Sequence, residues 1–75
     1  MNIDQILRYA AEHDASDIHV VAGHPPMMRI HTVMTPMDFP VVTPETAEGM
    51  FTSMAVQGVQ DIFARQLDAD FSYGI

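Results

Sequence analysis

The chain has 75 residues, of which 48% are hydrophobic, and it carries ten acidic residues against three arginines, with no lysine and no cysteine. This length allows one small domain, and the lack of cysteine excludes disulfide bonds and thiolate metal sites. The formal net charge of −7 disfavours nucleic acids and anionic membrane surfaces as partners, because both are bound mainly through lysine and arginine.

The first predicted element is a helix over Ile3–His13. Its apolar residues recur at the spacing of one helix face: Ile3, Ile6, Leu7 and Ala10. Asn2 and Gln5 are spaced for a capping box, in which each side chain bonds the backbone of the other residue. Asp14 is expected to end the helix, since aspartate tolerates the left-handed backbone region better than most residues.

Two short apolar runs, Ile18–Ala22 and Met27–Ile30, are predicted to form neighbouring antiparallel strands. The residues between them are typical of a turn, because glycine permits positive φ and each proline fixes φ and removes a backbone donor. These turn residues are Gly23, His24, Pro25 and Pro26.

A short third strand is expected near Val33–Met37, and Pro36 confines it to an edge of the sheet or ends it. The connection through His31 and Thr32 is expected to be longer or less regular than a tight primed turn, because neither residue accepts positive φ easily. An exposed apolar patch in and after this strand is the best local candidate for a subunit contact. Its residues are Met34, Met37, Phe39 and Val41.

The second half of the chain is predicted to hold two helices and a final strand. Helix two starts at Thr43, which is followed by a proline and an acid, and its apolar stripe is Ala47, Met50, Phe51 and Met54. A third helix is expected from a second stripe: Val59, Ile62, Phe63 and Leu67. Asp70–Ile75 alternates like a strand and would leave an open ladder edge. The order α-β-β-(β)-α-α-β predicts an α+β domain, with a short antiparallel sheet and helices packed on one face.

Polar residues of the first two strands are the candidates for a functional surface. Asp17 and His19 lie two positions apart, so their side chains share one strand face. In a structural interpretation, Asp17 caps backbone donors at the start of its strand and His19 bonds across to the second strand near Arg29. In a functional interpretation, the same face meets another domain or subunit. Arg29 either pairs with a nearby acid, Asp17 or Asp70, or reaches an anionic group of a partner.

The sequence carries no motif for catalysis or metal binding. A zinc site of Asp17, His19 and His31 is an alternative, but the spacing matches no known zinc motif, and satisfied imidazoles on a partly exposed sheet are the simpler interpretation. Asp68 and Asp70 are expected to cap the last strand rather than to hold magnesium. A phosphate loop of the form G-x-x-x-x-G-K is missing, so no catalytic residue, cofactor or metal is assigned and this chain alone is expected to be inactive.

The residues around the first hairpin resemble the opening of a known family. Ser16-Asp17-Ile18-His19, followed by Ala22-Gly23-His24-Pro25-Pro26-Met27-Met28-Arg29-Ile30, is similar to the start of PilT-type ATPases. These are the retraction motors of type IV pili, within the larger type II/type IV secretion ATPase superfamily. Met1–Ala11 and Asp68–Tyr73 resemble the family's first helix and a later strand, so the likeness covers nearly all of the chain.

The resemblance implies a single PAS-like amino-terminal domain over residues 1–75, without the RecA-like ATPase domain that comes after it in the family. Such a domain packs against the ATPase domain of the same or a neighbouring subunit in a hexameric ring, and it transmits motion while the parent protein hydrolyses ATP with Mg²⁺. The residues expected to make the inter-domain or subunit contact are Asp17, His19, His24 and Arg29. The chain is then expected to be a truncated piece of a longer protein, working in the cytoplasm or at the inner-membrane face.

A second hypothesis is a stand-alone PAS-like sensor or adaptor that binds a small ligand between the sheet and the helices. It requires a concave, mostly apolar pocket with a few polar groups, which His19 and Arg29 would supply. The two hypotheses differ in the sequence expected after Ile75, because an ATPase continues into a further strand and a Gly-rich loop ending in Lys-Ser/Thr. Under both, direct membrane insertion is not expected, because no stretch offers the about 20 apolar residues that span a bilayer.

Overall fold

The computed structural model describes residues 1–57 and 70–75 in full and the backbone of residues 62–65. In chain order the elements are helix α1 (Ile3–Glu12), strands β1 (Asp17–Val21), β2 (Met27–Ile30) and β3 (Val33–Pro36), helix α2 (Pro44–Val56), and strands β4 (Ile62–Arg65) and β5 (Asp70–Gly74). The predicted α+β class is therefore confirmed. The first two strands also agree with the prediction to within one residue at each end.

The strands form one antiparallel sheet in the order β3-β2-β1-β5-β4. The central strand β1 pairs with β2 on one side and with β5 on the other. The expectation of an open edge at the last strand is wrong, because β5 lies inside the sheet, between β1 and β4. Among the described strands, the two edges are β3 and β4, and Pro36 ends the edge strand β3 as predicted.

The predicted third helix is wrong where the structure describes it. Ile62–Arg65 is strand β4, with Ile62 opposite Tyr73 and Arg65 opposite Asp70 of β5. A short apolar run fits a helix face and a strand equally well, and isoleucine followed by phenylalanine favours a strand once a pairing partner is available. The other two residues of the predicted stripe, Val59 and Leu67, lie outside the described residues.

The core lies between one face of the sheet and the two helices. Side chains of the three inner strands are fully buried on this face: Ile18, Val20, Met28 and Phe71. The helices cover them with their own apolar stripes, whose buried members are Ile3, Ile6, Ala10, Ala47, Met50 and Met54. Because both helices pack on this one face, the opposite sheet face has no helix over it in the described part of the chain.

Helix α1 begins and ends near the residues that the sequence marks, and helix α2 begins at its predicted cap. In α1, the Asn2 side chain and the Gln5 side chain bond each other's backbone N–H at 2.9 and 3.0 Å, which confirms the capping box. Asp14 has the expected left-handed conformation, with φ of 58°, and its N–H and that of Ala15 bond the carbonyl groups of the last turn. Thr43 caps α2 by accepting a bond from the Thr46 N–H at 3.1 Å.

The β2–β3 hairpin departs from the sequence prediction. Ile30 is paired with Val33, so the turn consists of His31 and Thr32 alone, and both have positive φ, at 48° and 68°. The expectation of a longer or less regular turn is wrong. A two-residue primed turn matches the right-handed twist of paired strands, and the pairing imposes it although left-handed conformation costs an ordinary residue about 1–2 kcal/mol.

The segment after β3 folds back onto α1 instead of forming an exposed patch. Met37 is only 3% exposed, and Phe39 is half-buried, with its ring centroid 5.4 Å from that of Tyr9. Of the predicted patch, Met34 and Val41 are exposed. The expectation of an exposed patch is therefore wrong for Met37 and Phe39, which pack against the core.

Candidate interaction face

The sheet face opposite the helices is the candidate functional surface, and we call it the outer face. Strand alternation and the pairing register assign its described side chains. They are Asp17, His19, Val21, Met27, Arg29, Met34, Pro36, Asp70 and Ser72. None of them is fully buried, whereas the intervening residues of the three inner strands form the core. The outer face combines a few charged groups with exposed or half-exposed apolar side chains.

A charged cluster lies at the start of β1, centred on Asp17. Asp17 is paired directly opposite Arg29, whose Nε lies 3.3 Å from Oδ1 and 3.4 Å from Oδ2 of the carboxylate. The Ser16 hydroxyl donates a hydrogen bond to Oδ1 at 2.6 Å, and His19 Nε2 contacts Oδ2. Three neighbouring side chains therefore saturate this carboxylate.

The surroundings of Asp17 favour its ionised form. Burial alone raises the pKa of the carboxyl, but the hydrogen bonds from Ser16 and His19, together with the charges of His19 and Arg29, outweigh that effect. The pKa of Asp17 is consequently held below its ordinary value of 3.8. At neutral pH the group is a fixed negative charge that orients the Arg29 guanidinium.

Arg29 keeps hydrogen-bonding capacity for another molecule. Its side chain is 40% exposed, and only Nε bonds Asp17, so within the described residues the two terminal amino groups make no hydrogen bond. The expected ion pair is confirmed, with Asp17 as the acid. A guanidinium held by one edge presents its remaining donors in a fixed plane, which suits a carboxylate or another planar acceptor.

His19 joins the cluster in a different way from the one predicted. Its ring contacts Asp17 on the same strand, and the residue opposite it on β2 is Met27, so the predicted bond across to β2 is wrong. Residues two apart on a strand point to the same side, and this places the ring against the carboxylate. His31 lies at the tip of the β2–β3 hairpin, and no group of three potential metal ligands is found among the described residues.

His24 takes no part in the charged cluster. It lies in the exposed turn beyond the other end of β1, and its described hydrogen bonds are made by its backbone. Its N–H donates to the Val21 carbonyl at 3.2 Å, and its carbonyl accepts from Val42 N–H at 2.8 Å. The structure thus brings together Asp17, His19 and Arg29 of the predicted contact residues.

Ser16 is the member of the cluster that the sequence alone did not suggest. Besides its hydroxyl bond to Asp17, its N–H donates to the Arg29 carbonyl at 2.9 Å, so it links both partners of the ion pair. The available signal was its position directly before a strand that begins with an acid, where serine commonly bonds nearby polar groups.

The geometry disagrees with a ligand pocket between sheet and helices. His19 and Arg29, the expected polar groups of such a pocket, lie on the outer face, while buried apolar side chains fill the interior. A groove with a volume of about 390 Å³ lies between the start of α1 and α2, lined by Ile3, Gly49 and Met50 among others. It therefore uses neither predicted residue.

Comparison with known proteins gives one relative that spans the complete chain. No family model matches. The type IV pilus retraction ATPase PilT of Pseudomonas aeruginosa is 27% identical over 75 residues, which is 100% of this chain and 22% of that protein. The chain thus spans about a fifth of the length of this relative. No helix in the described residues is long and apolar enough to cross a membrane.

Proposed function

We propose that this chain is the PAS-like amino-terminal interaction domain of a PilT-like hexameric pilus-retraction or secretion ATPase. In this role it contacts the RecA-like ATPase domain of the same or a neighbouring subunit and transmits motion to it, in the cytoplasm or at the inner-membrane face. The similarity to PilT over the complete chain supports this proposal. So do the residues Ser16–His19 and Ala22–Ile30, which resemble the opening of that family.

The observation that carries the proposal is the outer face with its charged cluster. Arg29 is oriented by the Asp17 carboxylate and still has unused hydrogen-bond donors. The stability of an isolated small domain gains little from this arrangement, because exposed ion pairs stabilise a fold by about 0–1 kcal/mol. The same arrangement is useful in a contact, where a preoriented guanidinium loses less conformational freedom on binding a partner's carboxylate. We assign the contact to Asp17, His19 and Arg29, and to His24 in the turn beyond the other end of β1.

Under this proposal, another part of the parent protein carries out catalysis. ATP binding requires a Gly-rich loop ending in lysine and a hydroxyl residue, which hold the phosphates and Mg²⁺, and this chain has no lysine. ATP and Mg²⁺ would be bound by the RecA-like domain. This chain would act through its surface alone.

The first test is the nucleotide sequence that follows the Ile75 codon in the native gene. Sequencing the native transcript downstream of the Ile75 codon should show a further strand and then a Gly-rich loop ending in Lys-Ser or Lys-Thr. A stop codon at this position would contradict a covalently linked ATPase domain.

The second test locates the contact. The ¹⁵N-labelled chain is titrated with the separately produced ATPase domain, and amide resonances are followed by NMR. We expect the largest chemical-shift changes at the amide resonances of Asp17, His19 and Arg29. The resonances of exposed α1 residues, such as Arg8 and Glu12, should not shift. Shifts confined to α1 or α2 would contradict the outer face as the contact surface.

A further inference from the structure

Strand β3 is an edge strand with unusually exposed apolar side chains. Among the described strands it pairs with β2 alone, and Val33 and Met34 are 60% and 38% exposed. An edge strand presents backbone N–H and C=O groups that another strand can bind. Natural edges are usually protected by charged side chains, by proline or by a short length, and here proline and the short length are present without the charge.

The register shows which backbone groups of β3 point outward. Ile30 and Val33 flank the two-residue turn and exchange hydrogen bonds, so the next pair, Arg29 and Met34, does not. In agreement, the Arg29 carbonyl points toward β1, where it accepts the Ser16 N–H at 2.9 Å. Met34 therefore directs its N–H and C=O away from β2, to the open edge.

Charge indicates what can approach this edge. The chain has a net charge of −7, but residues 30–37 contain no Asp, Glu, Lys or Arg. A second copy can bring its own residues 30–37 alongside without placing carboxylates of the two chains against each other. Because Met34 directs both a donor and an acceptor outward, the edge is complementary to itself when rotated by a two-fold axis.

We infer that two copies of this chain associate through β3, antiparallel and with Met34 opposite Met34 of the second copy. Each Met34 N–H then donates to the Met34 carbonyl of the other copy, and each Val33 lies opposite Thr35 of the other copy. The two sheets join into one continuous sheet of ten strands, counted from five in each copy. This interface uses the edge of β3, including Met34 of the outer face, but not the charged cluster of Asp17, His19 and Arg29, and it is independent of the proposed function.

Light scattering and amide exchange on the purified chain test this inference. The mass should rise with concentration from 8.3 kDa toward twice that value. The Met34 amide should become protected from exchange over the same range, while the amide of Gly49 in helix α2 does not change its exchange rate. A mass of 8.3 kDa at all concentrations up to the millimolar range would overturn the inference.

Three variants assign the interface to this edge. Met34→Pro removes the outward N–H, which β2 does not use, and should abolish the dimer, with folding checked by circular dichroism. Met34→Lys places two ammonium groups opposite each other and should weaken dimerisation about tenfold or more, with partial recovery at high salt. Val56→Lys, at a position of α2 that is 81% exposed, is the matched control and should dimerise like wild type. Wild-type association by folded Met34→Lys would overturn the inference.

Discussion

The two faces of β1 serve different purposes although their residues alternate along one strand. On the inner face, Ile18 and Val20 are fully buried and hold the sheet to the helices. On the outer face, Asp17 and His19 form part of a charged cluster that keeps unused donors on Arg29. Burial of apolar surface dominates folding energetics, so the inner face determines the fold. The outer face contributes little to stability and is available for a partner.

The sharpest test of this difference uses two adjacent valines on opposite faces. Val20→Ala should lower the free energy of unfolding by about 2 kcal/mol, because it leaves a cavity in a fully buried position. Val21→Ala removes the same atoms from the half-exposed outer face and should cost less than about 1 kcal/mol. Urea unfolding followed by circular dichroism measures both. Equal losses would contradict the division between the faces.

The hairpin that positions Arg29 offers a gain of stability. Replacing His31 by Asn and Thr32 by Gly should raise the free energy of unfolding by about 1–2 kcal/mol, since both positions have positive φ and the new residues tolerate it. The pairing of Arg29 with Asp17 should not change, which the NMR cross-strand contacts would show. As a control, Gly23→Ala should destabilise by about 1 kcal/mol, because φ at Gly23 is 93°. A destabilised Asn-Gly variant would refute the turn geometry.

The cluster itself should have a smaller, pH-dependent effect. Because the pKa of Asp17 is lower in the folded chain than its ordinary value of 3.8, the ionised carboxylate stabilises the fold above that value. The stabilisation is lost as the pH falls through the folded-state pKa. Asp17→Asn should therefore cost about 1 kcal/mol at pH 7. The difference from wild type should shrink at pH values below 3.8, as urea titrations at several pH values would show.

The smallest effect on stability is expected at Arg29. Arg29→Gln removes one partner of a partly exposed ion pair and should change the free energy of unfolding by less than about 1 kcal/mol. Thermal unfolding of the two proteins side by side measures this. A loss as large as that of Val20→Ala would mean that the outer face is a structural element rather than a contact surface.

The sequence predicted those parts of the fold that depend on local chemistry. Helical spacing and capping residues marked α1 and α2, and the glycine and prolines between Ile18–Ala22 and Met27–Ile30 marked the first hairpin. The β2–β3 turn and β4 were mispredicted because strand pairing overrode local residue preferences. Ile30 pairs with Val33 across His31 and Thr32, and Ile62–Arg65 pairs with β5.

The sequence predicted which residues form the candidate site better than it predicted the contacts between them. Alternation placed Asp17 and His19 on one face, and charge suggested Asp17 or Asp70 as the partner of Arg29. The choice of Asp17 depends on the strand register, which residues far apart in the chain determine. Spacing placed His19 on the face of Asp17, but the choice of its ring between Asp17 and β2 depends on the side-chain conformation. The position of His24 depends on the turn.

Whether the outer face is a coupling surface is tested by the assembly and ATPase rate of the full-length parent protein carrying Arg29→Glu. Arg8→Glu makes the same change of charge on the exposed face of α1 and serves as the matched control. We predict that Arg29→Glu lowers the proportion of hexamers in light scattering, or uncouples their ATPase rate, while Arg8→Glu behaves like wild type. Intact hexamers with an unchanged ATPase rate in the Arg29→Glu protein would contradict the outer face as the coupling surface.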